Sequence, residues 1–384
     1  MRIGFITNFC PHYRLRTFEM ISRRLGAEFL FFSGGQEWYW STHHGVRHGD
    51  FPHEYLRPTV LGAMRVYPIL FWKLWRGGYD AYVCIPARVA LLLTYLSARL
   101  RHRPVVLWTG IWSRLGTPLH RISFPLVRYI YRHCDAVVVY GEHVKRYLVT
   151  EGVAAERVFV APHAIDNAAG GAAVTAAERA AIRAKLEVGD DERLVLYLGR
   201  LEDGKGLPFL VEAFARLGPP DTILVLAGVG SEASTLAAAA RARGIADRVR
   251  FPGYVAPDET RLYYAAADVG VLPSVTTPRF KEPWGLVVNE AFNQGLPVIA
   301  TDAVGAAAGG LLRDEETGLV VPERDAAALA AALRRVLEDT ALRARLSEAA
   351  RRAVAIWDNA AMVEGFRRAL AYAGVTDASS PPAR

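Results

Sequence analysis

The sequence predicts two α/β domains, each built on a doubly wound parallel sheet, and three observations carry that prediction. At 384 residues the chain exceeds one ordinary core, and two domains of about 150–200 residues are the natural division. Short, continuous, β-branched runs recur along it: IGFIT, EFLFF, AYVCI, PVVLW and AVVVY in the first half, then LVLYL, TILVLAG, VRF, VGVLP, LPVIAT and GLVVP. Runs of this kind are strands buried on both faces. They alternate with helical stretches, the pattern of right-handed crossovers between parallel strands.

Taken in order, MRIGFITNF carries no charged leader or cleavage site and reads as the opening strand of a domain over 1–168. The stretch HAIDNAAGGAAVTAAE (163–178) is small and rich in Gly and Ala, the best linker. A second domain follows over 176–355. The last helical stretch, about 356–373, presents Ile356, Trp357, Met362, Val363 and Phe366 as apolar anchors, and the tail TDASSPPAR (376–384) is expected to be disordered. Two such sheets facing each other would make a central cleft, with ligands beyond the carboxyl ends of the strands.

Composition narrows the function. With 52% hydrophobic and 22% charged residues the chain is globular. Cys10, Cys84 and Cys134 are far apart and form no CxxC, which fits a reducing compartment. No apolar run reaches 18 residues, so no membrane span and a cytoplasmic location are expected. Charge is uneven: residues 1–170 hold 21 Lys/Arg against 11 Asp/Glu, while 171–384 hold 25 against 28. The basic half suits a phosphorylated substrate or a peripheral contact with the anionic inner face of a membrane. The scattered arginines match no nucleic-acid recognition pattern. In GGQEWYWSTHHGVRHGD (34–50) an HxxxxH spacing is a poor metal site, and no metal is expected. Those residues, with Trp38, Tyr39 and Trp40, are assigned to a loop. Trp72 and Trp75 within LGAMRVYPILFWKLW could lie on a bilayer, although Pro68 favours a core helix.

The loops after the strands carry the chemistry. GRLEDGKG (199–206) satisfies GxxxxGK but has Gly206 where a phosphate-binding ATPase loop needs Ser or Thr. What survives is Arg200 and Lys205, two cations able to neutralise a diphosphate. AGVGSE (227–232) places Gly228 and Gly230 where backbone can approach a ligand. FPGY (251–254) offers Tyr254 to border a base. In KEPWGLVVNE, a helix start at Gly285 would turn the amides of Trp284, Gly285, Leu286 and Val287 toward a phosphate. Glu290 can accept bonds from ribose hydroxyls, and Glu282, before the turn, can reach a donor sugar.

Together GR with Lys205, AGVG, FPGY, ADVGVLPS, the Glu-x7-Glu of EPWGLVVNE and NQGLPVIATDAVG resemble the nucleotide-sugar half of the GT4 family of retaining glycosyltransferases, over about 190–325. The resemblance implies the GT-B fold, with the last helix (358–375) crossing back onto the first domain. It also implies a nucleotide-diphosphate sugar donor, retention of anomeric configuration and no metal or other cofactor. Arg200 and Lys205 would then bind the diphosphate, Glu290 the ribose, Glu282 the donor sugar, and Tyr254 the base. The acceptor would be a glycan, a lipid-linked intermediate or a small molecule. The first domain departs from the family pattern. TNFCPHYRLRTFE (7–19) has no glycine, leaving Asn8, His12 and Arg14 as cleft residues on the acceptor side. Thr109 and Gly110 stand where many members have a histidine against the donor sugar. That substitution keeps a second class open, a nucleotide-sugar-binding protein or coupling enzyme that forms no glycosidic bond. A nicotinamide-dependent dehydrogenase is disfavoured, because no GxGxxG follows the first strand.

Overall fold

The computed structural model describes residues 1–35, 45–57, 59–61, 64–218 and 221–375. The WYW and HH stretches of the 34–50 loop and the 376–384 tail lie outside the described residues. The chain divides into two compact units, Met1–Asp166 together with the segment from Asn359, and Asn167–Asp358.

In the first unit, β1 (Ile3–Thr7), β2 (Ala27–Phe31), β3 (His53–Tyr55), β6 (Ala81–Cys84), β7 (Val105–Thr109), β8 (Ala136–Val139) and β9 (Val158–Val160) form one parallel sheet in the order β3-β2-β1-β6-β7-β8-β9, and β4 (Thr59–Leu61) with β5 (Met64–Val66) make a separate antiparallel hairpin. The continuous apolar runs are needed because both faces are covered. Tyr82, Leu107 and Val137 point into one core, under the helices Pro68–Arg76, Arg88–Leu100 and Pro118–His133. Val83, Trp108 and Val138 point into the other, under Leu15–Leu25 and the terminal helix Asn359–Tyr372. That alternation is the period-two consequence of a pleated strand.

The terminal helix earns its place through Met362, Val363 and Phe366, all buried. Phe366 lies 5.6 Å from Phe5 and 5.5 Å from Trp108, ring centre to ring centre. Gly365 lets the helix approach closely, since a Cβ there would sit 2.5 Å from that of Ala161. Of the anchors read from the sequence, Ile356 and Trp357 are not part of this contact: both precede the terminal helix and belong to the second unit, where Ile356 is 74% exposed and Trp357 stacks on Trp284.

The second unit is a six-stranded parallel sheet of β10 (Arg193–Leu198), β11 (Thr222–Ala227), β12 (Val249–Gly253), β13 (Val269–Leu272), β14 (Val298–Thr301) and β15 (Leu319–Val321), ordered β12-β11-β10-β13-β14-β15. The chain runs outward from β10 to β12, then returns to the other side of β10. The strand order therefore reverses between β10 and β13, and the loops leaving their carboxyl ends meet there. Such a switch point is where open α/β sheets bind ligands.

Candidate active site

The two loops at that switch point are GRLEDGKG after β10 and the segment from Pro273 to Leu286 after β13. They are pressed together by glycines. Gly206 has φ +67°, and a Cβ on it would lie 1.8 Å from the Pro273 carbonyl oxygen; on Gly204 it would meet Phe280 at 2.8 Å. The Val275 amide donates to the Gly204 carbonyl at 2.9 Å, closing the contact. Lys205, between the two glycines, is thereby carried onto Glu282: its Nζ lies 2.5 Å from Oε2, with the side chains only 13% and 9% exposed. Ser274 Oγ, fully buried, donates to the same oxygen at 3.0 Å, and the Phe280 ring lies 4.9 Å from Nζ. Glu282 is held from behind, because its carbonyl accepts from the Gly305 amide and the Trp284 carbonyl from the Ala306 amide.

The sequence placed Glu282 and Lys205 on separate groups of a ligand. In this structure they instead bond to each other, which satisfies two charges that would be costly to leave unpaired in so enclosed a place. The helix start also moves. It spans Val287–Asn293, with Leu286 as the residue before it, rather than beginning at Gly285. Gly285 has φ +92°, and the Val288 amide returns to its carbonyl at 3.0 Å. Trp284 is 1% exposed, donates its indole N–H to Asn289 Oδ1 at 2.8 Å and stacks on Trp357, so its side chain belongs to the core.

Glu290 faces Tyr264, whose hydroxyl donates to its Oε2 at 2.7 Å. Burial pushes its pKa up to about 7, against the opposing pull of that hydrogen bond. Gly228 and Gly230 serve a neighbour more than open space. A Cβ on Gly228 would strike the Gly199 carbonyl at 1.8 Å and one on Gly230 the Leu201 carbonyl at 2.1 Å. The glycines let the loop after β11 lie along the backbone of the loop after β10, where the Leu201 amide donates to Val229. Glu202 fastens the pair by accepting from the Ser231 amide and hydroxyl. Arg200 stands in the same loop, its carbonyl accepting from the Tyr197 hydroxyl at 2.7 Å. Tyr254 is half-buried just past β12, beside Gly253, whose carbonyl takes the Gly228 amide.

In the first unit the sequence-derived residues separate. Asn8 and His12, partly buried, follow β1 at the carboxyl edge of its sheet. Arg14 does not line an open surface: it is 3% exposed, with Nη2 2.5 Å from His163 Nδ1, Nη1 3.2 Å from Met362 Sδ, and its guanidinium 4.7 Å from the Trp108 ring centre. Burial lowers its pKa, and burial together with the Arg14 charge holds His163 well below its ordinary value, so the imidazole is neutral and accepts. Thr109 is also buried; its hydroxyl oxygen accepts from the Ile111 amide at 3.1 Å. Gly110 makes room for Tyr140, whose ring a Cβ would meet at 2.3 Å. Packing of the unit accounts for all three.

Two family models match this chain in succession: Glycosyltransferase Family 4 over residues 23–169 and Glycosyl transferases group 1 over 178–353. The chain belongs to glycosyltransferase family 4. Among family relatives, the lipopolysaccharide core biosynthesis glycosyltransferase LpsE of Rhizobium meliloti is 35% identical over 62% of each chain. The alpha-D-kanosaminyltransferase of Streptomyces kanamyceticus is 29% identical over 69% of each. The chain thus spans about six tenths of the length of LpsE. The fold is GT-B. The crystal structure of Anabaena Alr3699/HepE in complex with UDP matches 97% of this chain with 100% of its own at a TM-score of 0.79 and 22% identity. WaaG, a glycosyltransferase involved in lipopolysaccharide biosynthesis, matches 97% with 100% of its own at 0.71 and 20%.

For this family 4 chain the sequence reading overlooked Ser274, Tyr264 and Phe280. Ser274 had a signal, standing two residues past β13 at the switch point. Tyr264 had none, since it lies 26 residues before Glu290 on a helix of its own.

Proposed function

We propose that this chain transfers a sugar, with retention of anomeric configuration, from a nucleotide-diphosphate sugar to a glycan, lipid-linked or small-molecule acceptor. The observation that supports this reading most is the enclosed Lys205–Glu282–Ser274 group at the β10/β13 switch point. As the bond from the anomeric carbon to the diphosphate oxygen breaks, negative charge grows on the leaving group and positive charge on the sugar ring. Lys205 turns from Glu282 to the diphosphate, joined by Arg200, and supplies charge fixed in advance of the step. Glu282, released, accepts from donor-sugar hydroxyls. Glu290, when ionised, accepts from the ribose. The leaving diphosphate is neutralised by these side chains, and the reaction calls for no resident metal.

Transfer is tested with labelled nucleotide sugars, extracted acceptors and analysis of the product's anomeric configuration. Retained configuration, with transfer reduced about 10–150-fold in Lys205→Ala, is the expected outcome, as loss of one charged hydrogen bond costs about 1.5–3 kcal/mol. Tight donor binding with neither transfer nor slow donor hydrolysis would overturn the reading in favour of a binding protein. Thr109 and Gly110, standing in place of the family's usual histidine, motivate that second reading.

A further inference from the structure

The loops that leave β13, β14 and β15 lie in a row, since these strands are consecutive in the sheet. Every polar group of Thr276, in the first of these loops, is taken up by two consecutive residues of the third. Its amide donates to Glu323 Oε2 at 2.5 Å and its hydroxyl to Oε1 at 2.8 Å, while its carbonyl accepts from the Arg324 guanidinium. A carboxylate on both donors and a cation on the acceptor make these bonds stronger than neutral ones. The strap is anchored in turn, because the Glu323 amide donates at 2.9 Å to Asp302 Oδ1, in the loop after β14. Arg324 holds φ +65°, so a residue with a side chain is kept where glycine would rest more easily.

What the strap grips is the segment that faces Lys205. On one side of Thr276, the Ser274 carbonyl accepts from the Thr301 hydroxyl and the Val275 amide reaches Gly204. On the other side Thr277 closes a turn: its amide donates to the Phe280 carbonyl at 2.8 Å, and its hydroxyl accepts from the Phe280 amide at 3.0 Å. That turn seats the Phe280 ring against Gly204 and 4.9 Å from Lys205 Nζ. The same segment ends at Glu282, which Ser274 and Lys205 both contact.

We propose that Glu323 and Arg324 are positioning residues for Lys205. By clamping Thr276 they fix Ser274, Phe280 and Glu282 around its ammonium, so that the cation is in place before charge grows on the leaving diphosphate. Placement of this kind weighs heavily, since a shift of about 1 Å costs about 100-fold in rate. The two residues act through Thr276, and a loosened loop would leave Lys205 its charge while losing its place. This inference rests on the transfer reading for what Lys205 does, and adds the strap that sets it.

Hydrogen exchange on the full chain, without ligand, tests the strap. Glu323→Ala should speed exchange of the Val275 and Lys205 amides at least about ten-fold, although neither amide bonds to Glu323 itself. Glu323→Gln, whose side-chain amide can accept from the Thr276 amide and donate to its hydroxyl, should restore protection. Turnover of labelled nucleotide sugars tests the consequence. Glu323→Ala should lower kcat about 10–100-fold and change the donor KM less than about three-fold, with Glu323→Gln recovering most of the loss. Arg324→Gly separates positioning from stability, because it relieves the left-handed backbone: the melting temperature should hold while kcat falls about three- to ten-fold. Unchanged kcat in Glu323→Ala, faster exchange confined to Thr276, or a kcat loss in Arg324→Gly that only follows a lowered melting temperature would each overturn the inference. Should the wild type bind donor without transferring it, the transfer reading falls instead, and the exchange comparison alone decides the strap.

Discussion

Replacing Glu282 by Ala removes the anion that sits 2.5 Å from Lys205 Nζ. Both side chains are at most 13% exposed, so the lysine is left as a largely desolvated cation that has lost its salt-bridge partner. Breaking a buried pair from one side costs about 3–5 kcal/mol. The site keeps a little contact with solvent, which argues for the lower figure. At about 2–4 °C per kcal/mol for a unit of this size, the melting point should fall by about 6–12 °C. Lys205→Ala strands the carboxylate instead, and the double variant should cost less than the two single losses together.

Function turns the same pair into a signed prediction. In the wild type a diphosphate must compete with Glu282 for Lys205; in Glu282→Ala it does not. A nucleoside diphosphate without sugar should therefore bind the variant about ten-fold more tightly, a gain of about 1.4 kcal/mol, and restore part of the lost melting temperature. The complete sugar donor should gain less, because the acceptor for its hydroxyls is gone. Calorimetry with the diphosphate and the sugar donor on both proteins measures the ratio. Unchanged or weaker diphosphate binding in a folded, destabilised variant would mean that Lys205 never turns to phosphate, and the catalytic assignment would fail even though the ion pair stood.

Glu290, whose pKa burial raises to about 7, should make nucleotide affinity rise about ten-fold from about pH 6 to about pH 8, since only the ionised carboxylate accepts two ribose hydroxyls. Isothermal titration across that range should show the slope, and Glu290→Gln should flatten it. The stability linkage has the opposite sense: the unfolded chain loses the proton near 4.5 and the folded one near 7, so this group's contribution declines as pH rises through that window. His163 behaves conversely. Its folded pKa is depressed well below 6.5, so stability is lost as pH falls beneath that value, and urea unfolding at about pH 7 and about pH 5 should differ less in His163→Gln. Gly206→Ala should unseat the loop that carries Lys205 and abolish nucleotide binding, because its Cβ would lie 1.8 Å from a backbone oxygen. Gly253→Ala, at φ +77° in open space, should cost only about 1–2 kcal/mol in thermal unfolding.

The strands were legible because burial on both faces writes itself as unbroken β-branched runs, and every run quoted above contains or overlaps a strand. The motif loops were legible as loops, since each follows a strand end and carries glycine. What the glycines were for was not legible. Gly204, Gly206, Gly228 and Gly230 are consistent in sequence with a ligand approaching backbone, yet each is accounted for by one loop lying on another, or on Phe280. Sequence shows that a Cβ is excluded there and is silent on what excludes it. The same blindness separated Lys205 from Glu282, 77 residues apart, whose contact depends on β10 and β13 being neighbours. Arg14 was misplaced for a related reason. A cation on a loop after the first strand invites a surface role, and nothing local reveals that Trp108, Tyr140, His163 and Met362 close around it. Residue types at strand ends thus announce which chemistry a chain can perform, while the pairings that hold that chemistry at rest are long-range. It follows that single substitutions in this site should be read in pairs: Lys205 with Glu282, Glu290 with Tyr264. A loss of activity on removing one partner measures the stranded charge as much as the missing contact to substrate.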